Sequence, residues 1–303
     1  MPADLILHHY DTSPFSEKVR LLLGIKGLTW KSVVQPVIMP KPHLIPLTGG
    51  YRRIPVMQIG ADVYCDSQVI LAEIERRYPD PPTVRGADWA VNLWADRMWF
   101  QASVAVIFAE IGDAIPKEFA DDREKLSGRP FDVNAMKAAA PIMRNQWRAY
   151  AAWMDEGLKG GDFLGGATPS LSDVAAWMNV WWLGGASARS FDDLTADLSR
   201  LRAWRERIRG LGHGRRAELD PAEAVAIARD SAPANDAGVD ADDPSGLNAG
   251  ASVVVQADDY GRDPIEGVLA GLTRDRIIIA RDDNEAGAIH VHFPRAGYVL
   301  ARR

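Results

Sequence analysis

The chain has 303 residues, of which 47% are hydrophobic and 25% charged, and its formal net charge is −6. This length predicts two domains and allows three, and the acidic balance excludes a general attraction to nucleic acid or anionic lipid. One cysteine, Cys65, excludes an intrachain disulfide framework and a cysteine-based zinc cluster. The chain shows no secretory signal and no run of about 20 apolar residues. We therefore expect a cytoplasmic protein that does not cross a membrane.

Composition divides the chain into regions. Eight of the ten tryptophans lie between Trp89 and Trp182, whereas residues 230–244 carry five Asp and no basic or aromatic residue. This acidic segment lacks the apolar surface that would offset its ordering entropy, which predicts a flexible linker. The predicted domains are 1–84, 85–229 and 251–303, with the linker at 230–250.

The first region is predicted to be an α/β unit in the order β-α-β-(irregular)-β-β-α. Ser13 and Pro14 are typical of a helix start, and Gly27 is typical of a helix end. Proline and glycine make residues 39–53 irregular. Short apolar runs predict the strands. The predicted strands are 5–7, 30–37, 54–59 and 63–65, and the predicted helices are 14–25 and 68–78.

Three ordered landmarks in this region resemble the thioredoxin-like amino-terminal domain of cytosolic glutathione transferases. The segment Ser13–Arg20 follows the first strand and is similar to the zeta-class serine motif, and to the omega-class Cys-Pro-Phe-Ala with Ser13 in place of cysteine. Arg53–Val56 is similar to the Lys/Arg-Val-Pro element, whose proline is cis in the family. Asp66 and Ser67 precede a helix, as does the Glu/Asp-Ser pair that holds glutathione. The resemblance covers about residues 4–225.

The resemblance implies a hydroxyl group that stabilises the glutathione thiolate at the amino terminus of a helix, where unpaired N–H groups lie. Ser13 is expected to be this activating hydroxyl, with Ser16 and then Tyr10 as alternatives. A plain helix cap is the competing interpretation of Ser13. Cys65 does not occupy the position of the omega-class thiol, so a buried structural role is expected for it.

The resemblance also implies where glutathione binds. A cis bond to Pro55 would present the backbone of Ile54 to the cysteinyl part of glutathione, like one more strand. Ser67 is expected to bind the γ-glutamyl carboxylate and Asp66 the ammonium group, although both also fit a plain helix cap. The other residues expected at this site are Phe15, Arg53, Lys41 and His43, the last two of which also fit a solvated loop.

Residues 85–229 are predicted to form an all-helical bundle domain. Ser170–Asp173 is a capping box before an apolar helix, which resembles the family's helical domain. In the family the second substrate binds between the two domains, so Trp94, Met98 and Gln101 are expected to line that pocket. The competing interpretation of Trp94 and Met98 is that they are core residues, because tryptophan and methionine more often pack in the core. The predicted helices are 88–112, 133–158, 171–184, 194–211 and 221–230.

The last region departs from the family. Five short strands joined by turn sequences predict a small all-β barrel of the SH3-like or OB-like type. Its role is unknown, and packing against the rest of the chain or support of a dimer is preferred. His290 and His292 lie on one strand face. We interpret them as part of a half-exposed sheet face in preference to a metal site. The predicted strands are 252–256, 265–272, 276–281, 289–293 and 298–301.

The resemblance implies an enzyme that uses glutathione as cosubstrate and conjugates its thiolate to a small hydrophobic electrophile. One alternative is a non-catalytic glutathione-binding or scaffold protein, since the chain has no decisive catalytic tyrosine or cysteine. Another is a glutathione-dependent isomerase or dehalogenase, which the zeta-like serine motif suggests. The family also implies a homodimer. We expect neither a metal site nor a nucleic-acid partner.

Overall fold

The computed structural model describes residues 4–234 and 238–303. The first region has the predicted order of strands and helices, and a short helix lies within the segment expected to be irregular. The strand order is β2-β1-β3-β4, in which β1 pairs in parallel with β2 and antiparallel with β3. The elements are β1 (Ile6–His9), α1 (Pro14–Ile25), β2 (Thr29–Val34), α2 (Ile45–Thr48), β3 (Val56–Ile59), β4 (Asp62–Cys65) and α3 (Ser67–Arg77).

Helix α1 begins and ends where the sequence predicts. The Ser13 hydroxyl accepts a hydrogen bond from the backbone N–H of Ser16 at 3.1 Å, and Pro14 occupies the first turn. Gly27 follows the helix with a φ of +63°, a conformation that favours glycine. The helix is buried along most of its length and packs against α3 and against the helical region, so it joins the two.

The second region is mainly helical, as predicted, with several differences from the predicted elements. Residues 117–127 form a helix that the sequence does not predict, and two helices, Ala188–Thr195 and Ser199–Leu211, take the place of the one predicted at 194–211. The capping box is confirmed, since the N–H of Ser170 donates to Oδ2 of Asp173 at 2.8 Å. The helices are α4 (Asp88–Trp94), α5 (Phe100–Ile111), α6 (Lys117–Ser127), α7 (Val133–Gly157), α8 (Leu171–Ala186), α9 (Ala188–Thr195), α10 (Ser199–Leu211) and α11 (Pro221–Arg229).

Two further features belong to this region. A π-helical turn, Ala95–Trp99, joins α4 to α5. A short strand, β5 (Arg215–Glu218), pairs in parallel with β2. Among the described residues, no helix is both long and apolar enough to cross a membrane.

The five strands predicted for the last region are present and extend the first region's sheet. Strand β9 pairs in parallel with β4, so within residues 4–234 and 238–303 the sheet is continuous through ten strands, in the order β10-β6-β7-β8-β9-β4-β3-β1-β2-β5. Closure of the five strands as an SH3-like barrel stays a prediction. The strands are β6 (Ser252–Ala257), β7 (Ile265–Leu272), β8 (Arg276–Asp283), β9 (Gly287–Pro294) and β10 (Tyr298–Arg302).

Polar and apolar contacts both hold this junction together. Nε2 of His292 lies 2.8 Å from Oδ1 of Asp62, and the His292 ring stacks on Tyr64. His290 lies two residues earlier on the same strand and is partly exposed. The expected half-exposed sheet face is wrong for His292, which is buried because β4 packs beside its strand. Cys65 is fully buried, and burial raises the pKa of its thiol well above the usual value, which fits the structural role expected of it. A shared apolar cluster includes Leu44, Val56, Val63, Cys65, Val255, Ile265, Ile279, Val291 and Phe293.

Residues 238–250 of the predicted linker pack against the last region. The N–H of Asp240 donates to the carbonyl oxygen of Leu272 at 2.8 Å, and Asp243 pairs with Arg295 at 3.1 Å. Leu247 is buried. Residues 235–237 of the predicted linker lie outside the described residues. The domain boundaries stay predictions.

Candidate functional site

A small cavity of about 50 Å³ lies where the three regions meet. Ligand sites for small molecules usually enclose about 300–1,000 Å³, so side chains fill most of this one. Its walls come from the amino-terminal region (Phe15, Tyr51, Arg53, Ile54, Pro55, Asp66, Ser67, Gln68), the helical region (Leu93, Asp96, Arg97) and the carboxy-terminal strands (Asp259, Tyr260, Ala296, Gly297, Tyr298).

The turn from β4 into α3 places Asp66 and Ser67 on the cavity wall. Asp66 has a φ of +96°, a value that is costly for any residue other than glycine. Its Oδ1 accepts a hydrogen bond from the N–H of Gln68 at 2.9 Å and so caps α3. Residues in such conformations cluster at functional sites, and this one holds a carboxylate and a hydroxyl at the amino terminus of a helix.

Ile54 presents its backbone at the same cavity. The bond between Ile54 and Pro55 is cis, as expected. Within the part of the chain that the structure describes, the N–H and C=O of Ile54 form no hydrogen bond, because β3 begins two residues later. A backbone donor and acceptor without partners at the wall of a cavity favour a ligand with an extended backbone.

The Arg53 guanidinium occupies the centre of the site. Its Nη2 donates to the hydroxyl oxygen of Tyr298 at 2.6 Å, and its Nη1 donates to Oδ1 of Asp259 at 3.1 Å. Oδ2 of Asp66 lies 3.7 Å from Nη2. The rings of three tyrosines surround the cation, a favourable arrangement. The distances to the ring centres are 5.4 Å for Tyr51, 4.9 Å for Tyr260 and 5.7 Å for Tyr298.

A buried lysine from α1 connects Ser67 to the helical region. Nζ of Lys18 lies 3.5 Å from the Ser67 hydroxyl, 2.7 Å from Oδ1 of Asn92 and 2.6 Å from Oδ1 of Asp96. Burial raises the pKa of Asp96, and the charge of Lys18 opposes that rise. Sequence reasoning missed the role of Lys18, although this residue lies within the segment Ser13–Arg20 that carries the resemblance.

The π-helical turn orients the residues of the helical wall. Asp96 and Arg97 of this turn line the cavity, and the Arg97 guanidinium pairs with the Asp258 carboxylate. None of the three side chains expected to bind the second substrate lies there. Trp94 packs against other aromatic rings of the bundle, Met98 is 55% exposed and Gln101 is exposed.

Comparison with known proteins identifies the family. Residues 7–82 match the family model of the glutathione S-transferase N-terminal domain, and residues 97–207 match that of the C-terminal domain. A crystal structure of a GST-like protein from Pseudomonas syringae is 35% identical, with a TM-score of 0.80, and covers 99% of this chain and 100% of that chain. The chain belongs to the glutathione S-transferase family. The similarity to the Pseudomonas syringae protein extends through the carboxy-terminal strands.

More distant family members match shorter parts. Glutathione S-transferase U7 of Arabidopsis thaliana is 23% identical over 171 residues, which are 56% of this chain and 66% of that protein. FtsZ-localized protein A of Caulobacter vibrioides is 28% identical over 189 residues, which are 58% of this chain and 75% of that protein. These matches span two thirds to three quarters of the relatives' length.

Three hydroxyl groups are candidates for thiol activation in this member of the glutathione S-transferase family, and none of them lines the cavity. Ser13 is buried and caps α1. The Ser16 hydroxyl is buried and has no hydrogen-bond partner within the described residues. Burial raises the pKa of Tyr10, while the charge of Arg123 opposes the rise. The assignment of Ser13 stays a prediction.

Two loop residues expected at the glutathione site also lie outside the cavity wall. Lys41 is buried and its Nζ donates to the carbonyl oxygen of Pro36; burial lowers its pKa to about 8. His43 is partly exposed. Arg52 pairs with Asp122 of α6, so this helix covers the loop. The cavity therefore brings together Phe15, Arg53, Ile54, Pro55, Asp66 and Ser67 of the residues expected to bind glutathione.

Proposed function

We propose that the chain binds glutathione in this cavity and conjugates its thiolate to a small electrophile. The observation that carries the proposal is the convergence of three kinds of group. These are the unpaired backbone of Ile54, the acid and hydroxyl of Asp66 and Ser67, and the cation of Arg53. Glutathione is an extended peptide with one ammonium group, two carboxylates and a thiol, so it complements each of them.

Each group has a defined task in this proposal. Ile54 pairs with the cysteinyl backbone, as a strand pairs with its neighbour. Ser67 and the amino terminus of α3 receive the γ-glutamyl carboxylate, because unpaired N–H groups and the helix dipole favour an anion there. Asp66 receives the ammonium group. Arg53 supplies a positive charge for a carboxylate.

Conjugation also requires an ionised thiol. A thiol with a pKa near about 8.5 is mostly protonated at neutral pH. The thiol proton must therefore pass to solvent before the sulfur attacks the electrophile and forms a carbon–sulfur bond. In a substitution the bond to the leaving group breaks and the group departs with its electron pair; in an addition the carbon–carbon π bond breaks and the neighbouring carbon takes a proton from solvent. A hydroxyl group can accept one hydrogen bond and donate another. Ser13 can therefore cap α1 and still donate to the thiolate.

The tight packing of the cavity supports a second candidate, a non-catalytic glutathione-binding or scaffold protein. A cavity volume of about 50 Å³ is small for a tripeptide. One relative, FtsZ-localized protein A, is named for its location and not for a transferase activity.

Calorimetry with glutathione tests the binding step. Ser67→Ala removes a hydroxyl that would bind a carboxylate, so we expect about ten-fold weaker binding. Ser245→Ala is the matched control, because Ser245 is exposed in a loop outside the cavity. If the unchanged chain binds no glutathione at millimolar concentrations, the proposal is wrong.

Turnover of a panel of electrophiles tests the chemical step. We expect Ser13→Ala to lower kcat at saturating glutathione by about 10–100-fold while the affinity for glutathione changes little, since the lost hydrogen bond is to a charged sulfur. Unchanged turnover would remove Ser13 from the mechanism. Glutathione binding without turnover of any electrophile would favour the non-catalytic candidate.

A further inference from the structure

The carboxy-terminal strands supply one wall of the cavity, and contacts with the helical region fix that wall in place. The N–H of Gly261 donates to the carbonyl oxygen of Leu126 in α6 at 2.8 Å. Arg97 of the π-helical turn pairs with Asp258. Gly297 has a φ of +87°, a backbone conformation that is strained for any residue with a side chain, so glycine suits this turn.

Within this wall, the hydroxyl group of Tyr298 links two residues of the amino-terminal region. It accepts a hydrogen bond from Nη2 of Arg53 at 2.6 Å and donates one to Oδ2 of Asp66 at 3.0 Å. The distance of 3.7 Å between Nη2 of Arg53 and Oδ2 of Asp66 is too long for a direct hydrogen bond. Tyr298 therefore bridges the cation and the carboxylate.

The protonation state of Tyr298 suits this arrangement. Burial raises the pKa of its hydroxyl well above the usual value, and the charge of Arg53 opposes that rise. The hydroxyl keeps its proton at neutral pH and can donate it to Asp66. Packing of the ring against Phe293 explains why an aromatic residue lies here. It does not explain a hydroxyl within hydrogen-bond distance of three cavity residues, which are Arg53, Asp66 and, at 3.3 Å, the Tyr51 hydroxyl.

We infer that Tyr298 is a positioning residue of the ligand site, whose hydroxyl holds Arg53 and Asp66 in the arrangement that receives glutathione. The carboxy-terminal strands then complete the site within one chain. This inference rests on the proposed function, because the proposed function assigns glutathione as the ligand of Arg53 and Asp66. It goes further by giving the additional β region a role in binding.

The test is a double-mutant cycle read by calorimetry with glutathione. Tyr298→Phe keeps the ring and removes the hydroxyl, and we expect about ten-fold weaker binding, because the lost hydrogen bonds are to charged groups. In an Asp66→Asn background the same change should weaken binding less than about two-fold, because the two residues act as a unit. Tyr150→Phe is the matched control; it removes a hydroxyl that bonds to Gln146, outside the cavity.

Each outcome decides the inference. The inference is supported if Tyr298→Phe lowers the affinity for glutathione in the unchanged background and not in the Asp66→Asn background. The thermal stability of Tyr298→Phe should then be similar to that of Tyr150→Phe. Equal losses in both backgrounds would show a general structural effect and overturn it, as would unchanged affinity. If the unchanged chain binds no glutathione, the proposed function fails and this inference fails with it, whereas the other two negative results leave the proposed function standing.

Discussion

His8 on β1 is a fully buried histidine whose hydrogen bonds define its protonation state. Its Nε2 lies 3.0 Å from the amide oxygen of Gln58, and its Nδ1 lies 3.1 Å from the amide nitrogen of Gln35. An amide oxygen accepts and an amide nitrogen donates. The ring is therefore neutral, with its proton on Nε2. Burial lowers the pKa of His8 from 6.5 to about 4, and the bond to Gln58 opposes the shift.

This lowered pKa predicts loss of stability in mild acid. Between about pH 6.5 and pH 4 the unfolded chain binds a proton at His8 and the folded chain does not, so the free energy of unfolding falls as the pH falls. The shift from 6.5 to about 4 amounts to about 3 kcal/mol. We expect His8→Asn to flatten this part of the pH dependence in urea denaturation. His43→Asn, in a partly exposed loop, is the control, and equal slopes in both variants would contradict the prediction.

Single residues also show which parts of the site a sequence reveals. Arg53, Asp66 and Ser67 belong to short motifs whose local geometry brings them to the cavity. Tyr260 and Tyr298 lie about 200 residues further along, and no local pattern connects them with those motifs. Their place depends on the pairing of distant strands, which periodicity within one segment does not encode.

At the scale of elements, the π-helical turn determines which residues of the helical region line the cavity. The sequence predicts one helix over 88–112, on which Trp94, Met98 and Gln101 share a face. The turn adds a residue to the helical repeat, so Asp96 and Arg97 face the cavity instead. The apolar pattern on either side of the turn remains helical, so the sequence does not reveal it.

The link between α3 and β8 depends on one carboxylate. Glu73 is fully buried; its Oε2 lies 2.8 Å from Nη2 of Arg276, and its Oε1 accepts from the Tyr64 hydroxyl at 3.1 Å. Burial alone would raise the pKa of Glu73, but hydrogen bonds from Arg76 and Arg77 and the charge of Arg276 lower it from 4.5 to about 2.

We expect Glu73→Gln to destabilise the chain. The lowered pKa corresponds to a loss of about 3 kcal/mol in the free energy of unfolding at pH 7. Because the folded pKa lies below the unfolded one, the stabilisation is present above about pH 4.5 and is lost as the pH falls toward 2. Denaturation at several pH values should show the variant and the unchanged chain converging in acid. Glu124→Gln, exposed on α6, is the control, and a constant difference at every pH would refute this account.

On the scale of the whole molecule, the carboxy-terminal strands belong to the same sheet as the amino-terminal region. The pairing of β4 with β9 joins residues 62–64 to residues 290–292, and an apolar cluster crosses the junction. The sequence indicates all five strands but not this pairing, because β4 has the pattern of an ordinary buried strand whichever neighbour it has. Elements that share a core and a hydrogen-bonded edge unfold together.

Hydrogen exchange read by mass spectrometry tests this continuity. We expect the amides of β9 to exchange with the same free energy as those of β3 and β4, within the range of about 5–15 kcal/mol typical of global unfolding. Asp62→Ala removes the carboxylate that His292 contacts and should reduce protection in β4 and β9 together. If the carboxy-terminal strands exchanged at a clearly lower free energy, they would form a separate unit. If the whole sheet unfolds as one unit, saturating glutathione should raise protection equally across it, because a ligand that binds only the folded state stabilises everything that unfolds with its site.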